Sequence, residues 1–214
     1  VEWKGRVVRV EFEAVNHTAT VFVNGHKAGD HTGKGYTAFT LDITGYLEFG
    51  RRNIITVRAD NSFSPSILPR NDSYDWAPDG GITRPVWLIV TPRIYIEDLW
   101  IDALPDLAAG TASLEVRAVV RNAAPEAADI ALGFRVIDEA TGRSGLDNAA
   151  GAEVGMAAGS AVEVSLPPAL LEQPKLWHFD HPHIYVLEAW ILRAGKRAHS
   201  RRETFGIRRL EVRG

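Results

Sequence analysis

Apolar residues recur at every second position in short runs along this chain, and no helical period of comparable length competes with them. Leu114, Val116, Ala118 and Val120 fall on one side of a strand, with Glu115, Arg117 and Val119 between them. Ile130, Leu132, Phe134 and Val136 repeat the pattern, as do Val8, Val10 and Phe12 against Arg9, Glu11 and Glu13. A period of two is that of a half-buried β-strand. No amphipathic helical stretch exceeds two turns. The fold class that follows is all-β.

Taken in order, the early strands are expected at 7–13, 19–23, 36–43, 53–59 and 86–91. Asn24-Gly25 follows the second and supplies the positive φ values of a tight hairpin turn. Lys27 and Ala28 begin the return. Short strands at this spacing read as an antiparallel jelly-roll sandwich. Thr91-Pro92-Arg93 is the best boundary, giving domains at 1–92 and 93–214. Beyond it the chain turns Ala-rich yet stays β-patterned, with strands expected at 99–101, 114–120, 130–136, 162–166, 185–192 and 204–212. Their number fits an immunoglobulin-like sandwich without its cysteine pair.

Composition removes several functional classes. The 214 residues carry 24 Lys+Arg against 27 Asp+Glu, a formal charge of −3, so there is no electrostatic case for nucleic acid or an anionic membrane. No run approaches the roughly 18 apolar residues of a membrane-spanning helix. With no cysteine, disulfides, thiolate nucleophiles and cysteine-based zinc sites are excluded. That absence also fits the cytoplasm, the favoured location. The chain opens on Val1 rather than Met and is read as a piece of a longer protein.

Residues 61–87 stand apart. About twenty of them follow no strand or helix period, and a loop that long in a compact domain is usually functional or disordered. Asp72, Asp75 and Asp79 accompany Tyr74 and Trp76. Aromatic faces stack on the C–H face of a sugar ring while carboxylates accept its hydroxyl hydrogen bonds, the usual mix of apolar walls and a few placed polar groups. The plainer alternative has Trp76 plugging the core and the aspartates solvating turns.

Other constellations carry less. His178, His181 and His183 lie close together, but Pro182 interrupts them and no acidic partner sits at helical spacing, so no metal and no cofactor are expected. Gly29, Gly33 and Gly35 lie among hairpin residues rather than before a helix, which removes a phosphate loop. There is no nucleophile elbow. The basic run 197–209 reads as the solvent face of a final strand, with an anionic partner as the alternative.

Four motifs in order resemble the front part of glycoside hydrolase family 2, the β-galactosidases, β-glucuronidases and β-mannosidases. The first is Ala19-Thr20-Val21-Phe22-Val23-Asn24-Gly25. The second is Gly35-Tyr36-Thr37-Ala38-Phe39 with Asp42-Ile43-Thr44. The third runs from Trp76 through Gly80-Gly81-Ile82-Thr83-Arg84-Pro85-Val86. The fourth joins Leu176-Trp177, Pro182 and Tyr185 to Phe205-Gly206-Ile207-Arg208. The resemblance implies a galactose-binding-like jelly roll, N-terminally truncated, followed by the immunoglobulin-like domain. It implies a carbohydrate substrate, a β-glycoside cleaved with retention, and a (β/α)₈ barrel partner that supplies both catalytic glutamates from outside this sequence. No catalytic residue is assigned to this chain, and the piece alone is expected to be inactive. Substrate-binding positions implied are Asp72 or Asp75, with Trp76 and Tyr74 beside them; Arg84 is given a structural role. A homo-oligomer is left open. The rival readings are a free-standing carbohydrate-binding module and a structural interaction domain.

Overall fold

The computed structural model describes residues 2–62, 80–148 and 151–211. The chain divides into two compact units, Val1–Thr91 and Pro92–Gly214. Both are built of strands, and the helical element among the described residues is one 3₁₀ turn, Thr44–Tyr46.

The first unit holds β1 (Val7–Phe12), β2 (Val15–Asn16), β3 (Thr18–Val23), β4 (His26–His31), β5 (Phe39–Asp42), β6 (Ile55–Asp60), β7 (Gly81–Ile82) and β8 (Val86–Thr91). One sheet runs β5-β1-β8, a second β4-β3-β6, and β2 pairs with β7. All the pairings are antiparallel. Val8, Val10 and Phe12 from β1 share one buried cluster with Ala19, Val21 and Val23 from β3, so alternate residues of the two sheets meet in a sandwich core.

The expected hairpin turn is present. Asn24 and Gly25 have φ of 51° and 83°, and Val23 pairs with His26 across them. Asn24 Nδ2 donates to Asn53 Oδ1 at 2.8 Å and to the Tyr46 carbonyl at 2.9 Å. The asparagine thus joins the turn to the chain entering β6. The strand expected at 36–43 is shorter, because a compact loop precedes Phe39. In that loop the His31 ring lies 3.1 Å from the Lys34 carbonyl and stacks on Phe39 at 4.3 Å.

The second unit contains β9 (Ile94–Asp106), β10 (Thr111–Asn122), β11 (Ala128–Asp138), β12 (Ser144–Asn148), β13 (Glu153–Met156), β14 (Ala161–Ser165), β15 (Ala169–Glu172), β16 (Tyr185–Arg193) and β17 (Lys196–Phe205). In one sheet β10 pairs along its length with β9, and with β14 and β15 in succession on its other side. In the other, β11 pairs with β12, β13 and β16, and β16 with β17. The alternating sets anticipated on β10 and β11 are buried, and they share one core with Leu187, Ala189 and Ile191 of β16.

The last strand begins before the expected 204–212 and overlaps it only at Thr204 and Phe205. Ala194 and Gly195, at φ of 48° and 73°, turn β16 directly into β17, and the chain leaves the sheet after Phe205. The basic run is therefore largely an ion-paired strand face. Arg202 and Arg197 meet Glu188, Arg201 meets Glu203, and Arg209 meets Glu211 beyond the strand.

Candidate functional site

Asp72, Tyr74, Asp75, Trp76 and Asp79 lie outside the described residues. The structure describes the chain on either side of them. The chain leaves β6 at Asp60, whose carboxylate accepts the Ser62 backbone N–H at 2.9 Å. It returns at Gly80, where an added Cβ would stand 2.6 Å from Asn61 Nδ2. The two ends of the excursion are thus side by side.

Both ends are fastened to one short piece of chain. Asn16 of β2 pairs with Gly81 of β7, and Val15 with Ile82. The next residue, His17, donates its backbone N–H to the Asp60 carbonyl at 3.1 Å. Thr83 N–H donates to Ala14 O at 3.2 Å, and Glu13 N–H to Pro85 O at 3.1 Å. Gly81, at φ 95°, adopts a backbone that L side chains rarely enter. The glycine pair read as a motif is thereby given a physical cause: Gly80 for close approach and Gly81 for conformation. Arg84 is exposed; the ties visible at the loop's exit are made by backbone groups on either side of it.

Asn16 and His17 are buried. Gly35 presses against them: a Cβ there would collide with Asn16 Oδ1 and come within 3.0 Å of His17 Cδ2. His17 is 6% exposed, and neither ring nitrogen has a hydrogen-bond partner among the described residues. An unsatisfied buried polar group costs about 1–3 kcal/mol. Sequence reading missed His17, since nothing in its local pattern distinguishes it from a strand residue.

Among the described residues of the second unit, the histidines are arranged differently. His178 is exposed beside Asp180, whereas His183 is largely buried, 3.2 Å from Asp138 Oδ2 but outside hydrogen-bond geometry. His183 is therefore not a solvated loop histidine. No group of three or more metal-ligating side chains occurs among the described residues. Lys175 donates to Asp138 at 2.9 Å, and this hydrogen bond is the largest cause holding that carboxyl down at about 2. These contacts fasten the 176–183 loop to the end of β11.

Comparison with known proteins decides the family. The family described as glycosyl hydrolases family 2 matches residues 94–208, and its sugar binding domain matches residues 2–92. The chain belongs to glycosyl hydrolases family 2. A β-galactosidase of Thermoanaerobacter pseudethanolicus is 29% identical over 99% of this chain, and a β-glucuronidase of Bacteroides fragilis is 29% identical over 97%. The chain spans 27% and 30% of those relatives' lengths. The crystal structure of a Bacteroides uniformis β-glucuronidase superposes with a TM-score of 0.85 at 27% identity, covering 96% of this chain and 25% of that one. A family 2 member from Bacteroides cellulosilyticus gives 0.83 at 26% identity, covering 96% and 27%.

Proposed function

We propose that this chain is the non-catalytic, sugar-facing part of a retaining β-glycosidase of the β-galactosidase or β-glucuronidase kind. The observation that carries the reading is that the chain on the two sides of residues 63–79 is fastened to one short segment of the sugar binding domain. An excursion bearing Asp72, Tyr74, Asp75 and Trp76 leaves and re-enters the fold at one place, clamped by Asn16 and His17. In a retaining glycosidase two carboxyl groups about 5–5.5 Å apart act as nucleophile and acid/base. Those groups belong to a (β/α)₈ barrel outside this sequence. Here Asp72 or Asp75 accepts hydrogen bonds from sugar hydroxyls, and Trp76 with Tyr74 forms an apolar wall. The chain alone hydrolyses nothing.

Titrating the chain with galactose, glucuronate and mannose, followed by tryptophan fluorescence and amide NMR, tests this. The expected result is no response up to tens of millimolar, because the pocket is completed only by the barrel. Saturable shifts at 61–84 with Kd below about 1 mM, roughly −4 kcal/mol, would instead mark an autonomous binding module.

One observation favours that second reading. An apolar cavity of about 310 Å³ in the first unit is lined by Trp3, Phe49 and Leu88, with Glu48, Arg51 and Asn53 at its polar side. Saturable shifts at Trp3 and Asn53, rather than at 61–84, would place an autonomous binding site in this cavity.

A further inference from the structure

A large apolar ring is held out into solvent by a turn that has no conformational need of it. Phe179 is 80% exposed. It stands with Asp180 at the tip of a two-residue turn closed in both directions. His178 N–H donates to the His181 carbonyl at 3.1 Å, and His181 N–H donates back to the His178 carbonyl at 3.0 Å. Asp180 N–H donates to His178 Nδ1 at 3.2 Å, and Trp177 pairs with Pro182 beneath them. Turns of this kind are served by small or polar residues, so a phenylalanine adds nothing to the closure.

The ring is also braced. It meets Trp177 edge to face, with 4.9 Å between centroids. Trp177 in turn donates its backbone N–H to the carbonyl of Ile207, on the stretch by which the chain leaves β17. At the foot of the same loop, Leu107 and Leu176 are exposed and line an open cavity of about 290 Å³. Apolar residues scattered singly over a surface need no explanation. An aromatic ring fixed on a closed turn is different, because it loses little freedom on binding, and that marks the anchor of a protein interface.

The place of the ring names what it meets. Gly214 is seven residues beyond Ile207, so chain continuing past it starts within about 25 Å of the turn. A domain tethered that closely is present at high effective concentration, and a small apolar contact suffices to hold it. The chain spans less than a third of the relatives described above. We propose that Phe179 is the anchor on which the catalytic barrel following Gly214 docks, with Leu107 and Leu176 as further apolar contacts. This rests on the function proposed above, which requires that barrel, and it gives the barrel a surface to rest on.

The test uses the full-length glycosidase that carries this chain. With Phe179→benzoylphenylalanine, irradiation followed by peptide mass spectrometry is expected to find the new covalent bond on a residue beyond Gly214 of the same molecule. The thermal unfolding midpoint is expected to fall by about 2–4 °C in Phe179→Asp, while Phe179→Leu, which stays apolar, keeps most of the parent's stability. Cross-links confined to residues 1–214 overturn the proposal. Cross-links formed only between two copies overturn it as well, and mark an interface between copies instead. So does an unchanged midpoint in Phe179→Asp. A wild-type enzyme inactive on every β-glycoside overturns the proposed function, whereas the cross-link still reads the docking by itself.

Discussion

Gly206 lies flat against the indole of Trp177. A Cβ on that glycine would come within 3.0 Å of three atoms of the tryptophan side chain. The Trp177 N–H also donates to the Ile207 carbonyl at 2.8 Å, and the Arg208 guanidinium sits 5.0 Å from the ring centroid. Two motifs separated by almost thirty residues are therefore one contact: the tryptophan of the first rests on the glycine of the second, and the arginine caps it.

Gly206→Ala is expected to force the indole aside and destabilise the second unit by about 1–3 kcal/mol, the usual cost of overpacking. Thermal unfolding of the variant measures it. An alanine variant as stable as the parent would show that Trp177 moves freely.

Gly133→Ala should behave the same way for a parallel reason. A Cβ there would stand 2.8–2.9 Å from the indole atoms of Trp190, a ring that also carries Arg197 at 4.1 Å from its centroid. A loss of about 1–3 kcal/mol is expected in denaturant unfolding.

Glu188 joins β11, β16 and β17 of one sheet. It lies opposite Arg135 and Arg202 in register and is bonded by both, at 2.5 and 3.1 Å. Burial pushes its carboxyl up, but hydrogen bonds from Arg202 and then Arg135 outweigh burial and hold it below the usual range. Glu188→Gln leaves these arginines without their counter-charge. Its expected cost is about 2 kcal/mol, below that of a fully dry pair because the arginines are partly solvated. A double-mutant cycle with Arg135→Met isolates the pair.

Acid stability carries a second signature. The Asp138 carboxyl is lowered from 3.8 to about 2, first by the Lys175 hydrogen bond. A carboxyl whose folded pKa is depressed adds stability that is complete above its unfolded pKa and is lost as pH falls through the folded one. The second unit should lose that contribution between about pH 4 and 2. Lys175→Met should flatten this part of the stability–pH profile, measured by unfolding at a series of pH values.

The strands of this chain were legible because burial in a sandwich writes itself at period two, as on β10 and β11, where every second residue is in the core. The Asn24-Gly25 turn was equally plain. The Ala194-Gly195 turn was not, since alanine is an unusual occupant of a positive φ, and the final strand was consequently placed too late. Short edge strands such as β13 and β15 lack enough alternation to announce themselves. At the site, the glycines of the third motif were visible in sequence, but their reasons were not. Close approach to Asn61 and pairing with Asn16 are tertiary facts. His17 gave no signal, because an unsatisfied buried ring can be seen only once the fold surrounds it.

On the function proposed above, this chain completes a sugar site without performing the chemistry. The most direct measurement is hydrolysis of aryl β-glycosides by the full-length enzyme, wild type against Asp72→Asn and Asp75→Asn, beside the isolated chain. One of the two variants is predicted to lose about 100-fold or more in kcat/KM, a charged hydrogen bond to substrate of roughly 2.7 kcal/mol, while the isolated chain is inert. Wild-type kinetics in both variants, or hydrolysis by the chain alone, would show that these aspartates do not bind substrate or that the chemistry lies within this chain.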